Sequence, residues 1–144
     1  MTKSYRCIPA VVFGIALWSM TALAHAEVLL SVTGGTLVAR GAGVELPVQV
    51  TCAAGFGESR VSFGGMLTQR AGNSTTSASV FGNHTVTCTG SPQTIDLLVA
   101  VTSPGAPLKP GPAVLSMYAD VWSIQSYWLF DHGNLRQEIQ LGYR

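Results

Sequence analysis

The sequence predicts an all-β protein: one antiparallel β-sandwich of about seven short strands. Three observations carry this expectation. Apolar residues recur at every second position in run after run, which is the period of a strand with one buried face. Gly, Pro, Ser and Asn clusters separate the runs at short intervals. No stretch beyond the N-terminal segment shows the 3.6-residue period of an amphipathic helix. A chain of 144 residues allows one domain. With 10% charged residues and a formal net charge of +1, it lacks the dense basic face that nucleic acid requires. It also lacks the charge density of a coiled coil or a charged disordered tail.

Residues 1–26 have the three parts of a secretory signal peptide. Lys3 and Arg6 give the positive start, Ile8 to Trp18 give the apolar run, and Ala24-His25-Ala26 offers small residues around a cleavage point. The expected element is a signal-peptide helix. The uncharged stretch is also close to the shortest membrane span, so an uncleaved anchor is the alternative. Pro9, Gly14 and the Ala-x-Ala end favour removal. Cleavage would leave residues 27–144 as the sandwich domain, with six basic and seven acidic side chains.

Strands follow in order. Val28 to Val32 and Thr36 to Ala39 read as a first strand broken at Gly34-Gly35. Val44, Leu46, Val48, Val50 and Cys52 share one face of the next, with Pro47 on the wet face as the sign of an edge or bulge. Arg60 to Gln69 aligns Val61, Phe63 and Leu67, with Gly64-Gly65 as an expected bulge. Ala71 to Ser79 is a polar run, a loop or a weak edge strand. His84 to Thr89 turns Val86 and Cys88 inward, and Thr94 to Thr102 turns Ile95, Leu97, Val99 and Val101 inward. Leu98 and Ala100 suggest that this last strand is covered on both sides. Ser103 to Pro112 is a Pro-rich loop. Ala113 to Trp122, Gln125 to Phe130 and Leu135 to Leu141 complete the set, with Asp131-His132-Gly133-Asn134 as a hairpin connection.

Cys7 falls within the segment to be discarded, so two cysteines remain, Cys52 and Cys88, both on inward faces. In an exported protein one disulfide is the economical reading, with two free buried thiols as the alternative. Such a bridge is worth roughly 3–4 kcal/mol on the chain-entropy model.

Four segments together resemble small exported Ig-like proteins of actinobacteria: Thr33 to Val44, Val50-Thr51-Cys52, Val86-Thr87-Cys88-Thr89-Gly90 and Lys109 to Val114. The likeness spans most of Glu27 to Val121. It implies an Ig-like sandwich and export, and it brings no catalytic residue. The chain departs from that pattern in having no cysteine near its C-terminus.

Chemistry-bearing motifs are sparse. The region after the signal holds two histidines, His84 and His132, which with a bonded cysteine pair are too few for a recognisable zinc set, so no metal or other cofactor is expected. No Gly-x-Ser-x-Gly is present, and nothing singles out a triad of a serine, either histidine and Asp96, Asp120 or Asp131. Asn73-Ser74-Thr75 and Asn83-His84-Thr85 match the glycosylation acceptor pattern, incidental in a bacterial chain.

The suggestive constellation is aromatic: Tyr118, Trp122, Tyr127, Trp128, Phe130 and Tyr143 crowd the C-terminal part. They either pack the core or form an exposed platform for sugar, peptide or lipid. Trp122 shares the outward phase of Tyr118 and Asp120, so Tyr118, Trp122, Tyr127 and Trp128 are the candidate binding surface. The expected function is an exported, non-enzymatic binding or structural module. Its partner would be a protein, a glycan or another surface component, not nucleic acid, and no stable membrane span would remain after signal removal. The alternative is a small secreted hydrolase, or an inhibitor presenting the Pro-rich loop.

Overall fold

The computed structural model describes residues 28–102 and 106–144. The signal segment lies outside them. The strands are β1 (Leu29–Val32), β2 (Gly35–Val38), β3 (Gly43–Thr51), β4 (Gly57–Ala71), β5 (Ser74–Cys88), β6 (Gln93–Val101), β7 (Gly111–Ser123) and β8 (Leu129–Gly142). Among the described residues no helix is long and apolar enough to cross a membrane.

The open Ig-like sandwich is overturned. The strands form one sheet in the order β1-β3-β2-β8-β7-β4-β5-β6, and β6 pairs back onto β3. That last pairing closes the sheet into a seven-strand barrel, in which β1 and β2 act as one interrupted strand along β3. Two short seams complete the ring. At one, Gly35 and Thr36 of β2 pair in parallel with Leu141 and Gly142 of β8. At the other, Ala78 and Ser79 of β5 pair with Val101 and Ala100 of β6. The second seam depends on the polar 71–79 run, where Gly72 and Asn73 turn the chain and Ser74 to Ser79 begin β5. Its Thr76 and Ala78 continue the inward phase of Val80, so the small side chains alternate like the rest of β5.

Alternation fills the barrel as the sequence implies. Val44, Leu46, Val48, Val50, Val61, Phe63, Leu67, Val99 and Leu115 are all essentially sealed from solvent. The expected two-sided cover of β6 is not found: Leu98, 69% exposed, and Ala100 both stand on the outer wall. Leu46 and Pro47 fall between the β1 and β2 ladders, where that edge of β3 has no partner and a missing N–H is tolerated. Gly64 and Gly65 make no bulge, because the β4 ladders run through them without a register shift.

The two ends of the barrel are closed differently. At one, residues 106–112 pack against the barrel with Leu108 buried in its core. Leu108 donates its N–H to the Gly41 carbonyl at 2.9 Å. Buried Gln69 clamps the same segment: its Nε2 donates to the Lys109 and Pro112 carbonyls, and its Oε1 accepts from Lys109 N–H. At the other end Cys52 and Cys88 are disulfide-bonded across a sequence separation of 36 residues, with Cα atoms 5.2 Å apart.

The expected connection at residues 131–134 is also corrected. Those residues lie within β8, paired with β7 from Val121 to Tyr118. The reversal comes earlier, where Ser123 Oγ accepts from the N–H groups of Gln125 and Ser126 and the Ser123 carbonyl accepts from Tyr127 N–H. Serine supplies the side-chain acceptor that such a turn needs. A bulge follows, two residues of β8 standing against the step between Val121 and Trp122.

Candidate functional site

The outer face of β5, β4, β7 and β8 gathers most of the polar and aromatic side chains of interest. Register fixes them in rows. Thr85, Arg60 and Trp122 lie side by side across β5, β4 and β7. In the adjacent row stand Asn83, Ser62, Asp120 and His132. One row further on, Phe81, Gly64, Tyr118 and Asn134 align.

A recess of about 280 Å³ opens beside the first two rows, at the disulfide end of the barrel. Arg60, Ser62 and Asn83 line one side, and Trp122, Ser123, Ile124 and Tyr127 line the other. Ser62 Oγ donates to Asn83 Oδ1 at 2.6 Å, which engages the amide oxygen and leaves the NH₂ group as the donor of that side chain. Arg60 is exposed and forms no ion pair or side-chain hydrogen bond among the described residues. Trp122 is half-buried. Tyr127 is 77% exposed and has φ +56°, a left-handed backbone that costs a non-glycine residue about 1 kcal/mol.

The aromatic set therefore divides. Trp122 and Tyr127 line the recess, while Tyr118, two rows away, does not and stacks at 5.9 Å on the His132 ring. Trp128 is 72% exposed on the turn but does not line the recess. Phe130 turns the other way and stacks on Phe56 with centroids 4.4 Å apart, at the rim of the core. Phe81 and Met66 extend the apolar part of the outer face.

His132 is a member of a hydrogen-bonded row rather than a turn residue. Its Nδ1 meets Asp120 Oδ1 at 2.5 Å and its Nε2 meets Asn134 Nδ2 at 2.8 Å. The hydrogen bond to Asp120 holds the imidazole pKa above its ordinary value, against the opposing effect of desolvation. Both ring nitrogens are engaged, and no serine among the described residues meets either of them. His84 lies half-buried with its ring edge toward Phe63. Among the described residues no three His, Cys, Asp or Glu side chains gather to hold a metal ion.

Of the residues that line the recess, the sequence singles out Trp122 and Tyr127 and not Arg60, Ser62 or Asn83. Outward phase on β4 was available for Arg60 and Ser62, but their position beside Trp122 is a property of the β4–β7 register. Asn83 carried only a glycosylation pattern. No protein-family model matches this chain, and no curated protein is significantly similar to it.

Proposed function

We propose that this chain is an exported, non-catalytic binding module that captures a saccharide in the Trp122–Tyr127 recess. The observation that carries this reading is the pairing of two accessible aromatic rings with hydrogen-bonding groups around one small concavity. Aromatic faces pack against the C–H face of a sugar ring, while amide, hydroxyl and guanidinium groups bind its hydroxyls. A recess of about 280 Å³ is sized for one sugar residue rather than a long apolar ligand. Export is supported by the signal-like N-terminus and by the Cys52–Cys88 bridge, since disulfides persist in oxidising compartments.

Catalysis gains no comparable support, because the His132 nitrogens are occupied by Asp120 and Asn134. An inhibitory role for the Pro-rich loop fits poorly with Leu108 buried in the core and Gln69 as its clamp. The test is retention of the protein on immobilised polysaccharides. Trp122→Ala and Tyr127→Ala should each reduce retention at least tenfold while the far-UV spectrum is unchanged. Retention unaffected by both substitutions would remove the recess as the binding site.

A further inference from the structure

We infer that the recess selects an acidic sugar, a uronate residue of a polysaccharide, through Arg60. This rests on the saccharide reading above and adds the charge of the ligand to it. Arg60 is exposed on the recess wall, directly across from Trp122. Among the described residues its guanidinium has neither a carboxylate within ion-pair distance nor a side-chain hydrogen bond. The other acids of this face do not neutralise it. Asp120 is held by His132, and Glu58 stands at the next outward position of β4, without an ion pair to Arg60.

An unpaired guanidinium beside an aromatic ring matches the two faces of a uronate. Its planar fork can bind a carboxylate through two parallel N–H···O bonds. The pyranose ring would then lie against Trp122 and Tyr127, with a ring hydroxyl accepting from the Asn83 amide, whose oxygen is already taken by Ser62. A neutral sugar would leave the strongest donor of the recess unanswered. Charge is thus the property that the pocket reads.

The experiment uses the full chain and three trisaccharides, of galacturonate, glucuronate and mannuronate, each beside its methyl ester. Esterification removes the charge and keeps the rings. Isothermal titration should show at least one acid binding ten or more times tighter than its ester. Arg60→Gln should bring that acid down to the level of the ester, and Arg60→Lys should restore part of the difference. Added salt should weaken the acid and leave the ester unchanged. Equal binding of acids and esters, insensitive to Arg60→Gln, would overturn the charge selection while leaving a saccharide site in place. Absence of any signal that Trp122→Ala abolishes would overturn both. Arg60 is exposed, so unchanged melting of Arg60→Gln is expected and separates lost binding from lost fold.

Discussion

The phenol ring of Tyr118 lies on Gly64, its cross-strand partner: a Cβ on that glycine would stand 2.4 Å from the Tyr118 ring and hydroxyl. The glycine is thus the floor on which the Tyr118 ring rests, and the same ring stacks with His132. Gly64→Ala would push the far end of a side chain rather than backbone. The expected change in stability is below about 1 kcal/mol, because strand alanine also offsets glycine's greater loss of chain entropy. The Tyr118–His132 stack should be lost, seen as a shift of the His132 ring resonances.

Gly133 makes the opposite prediction. Its Cβ would meet the Val28 carbonyl oxygen at 2.2 Å, a backbone atom at the mouth of the barrel. Gly133→Ala must move β8 or the start of β1, and a loss of about 2–4 kcal/mol is expected from overpacking. Urea denaturation of the two glycine variants side by side tests the contrast. Similar midpoints for both would show that the mouth of the barrel yields as easily as its outer face.

His132 gives a pH signature with a defined sign. Its folded pKa is raised, chiefly by the hydrogen bond that its Nδ1–H donates to Asp120. The protonated pair therefore adds stability that is fully present below the unfolded pKa of about 6.5 and is lost as pH rises through the higher folded value. The pair is exposed, so the contribution should stay below about 1 kcal/mol. Asp120→Asn should lower the imidazole pKa measured by NMR and flatten the dependence of melting on pH in that window. An unchanged imidazole titration would remove Asp120 as the cause.

The disulfide joins the end of β5 to the residue just beyond β3, strands that are not paired with each other in the sheet. Cross-linking residues 36 positions apart stabilises by about 3–4 kcal/mol on the chain-entropy model. The Cys52→Ala/Cys88→Ala double variant should lose that amount in urea denaturation, and reductant should have no further effect on it. A double variant as stable as the parent would mean that the seam between β5 and β6 holds without the sulfur link.

What could be read in advance divides along the line between local and non-local information. The inward series of β3, β4 and β7 was legible because alternation is local: Val44 to Val50, Val61 and Phe63, and Leu115 and Met117 point where their phase requires. Closure was not legible. It depends on the four residues at the β2–β8 seam and the four at the β5–β6 seam, and nothing in Gly35-Thr36 or Ala78-Ser79 names a partner. The turn at 123–127 was hidden for a related reason. Asp131, Gly133 and Asn134 are stronger turn formers than Ile124 and Gln125, yet Gly133 serves a close approach to Val28 and Ser123 supplies the turn's acceptor. For the recess, aromatic outward phase was visible and register was not, so Arg60 went unnoticed beside Trp122.

Tyr127 joins strain to binding in a single residue. It holds φ +56° at the turn, where glycine would sit without steric cost, and it exposes most of its ring beside the recess. Removing the side chain should therefore separate stability from capture. Tyr127→Gly relieves a left-handed strain of about 1 kcal/mol and gives back part of it through the larger entropy of the unfolded chain. The expected protein is as stable as the parent or more so by up to about 1 kcal/mol, while its retention on polysaccharide falls at least tenfold. Chemical denaturation and affinity chromatography on the same preparation measure both quantities. A variant that loses stability together with binding would place Tyr127 among the residues that hold the turn, and the strain would then need another explanation.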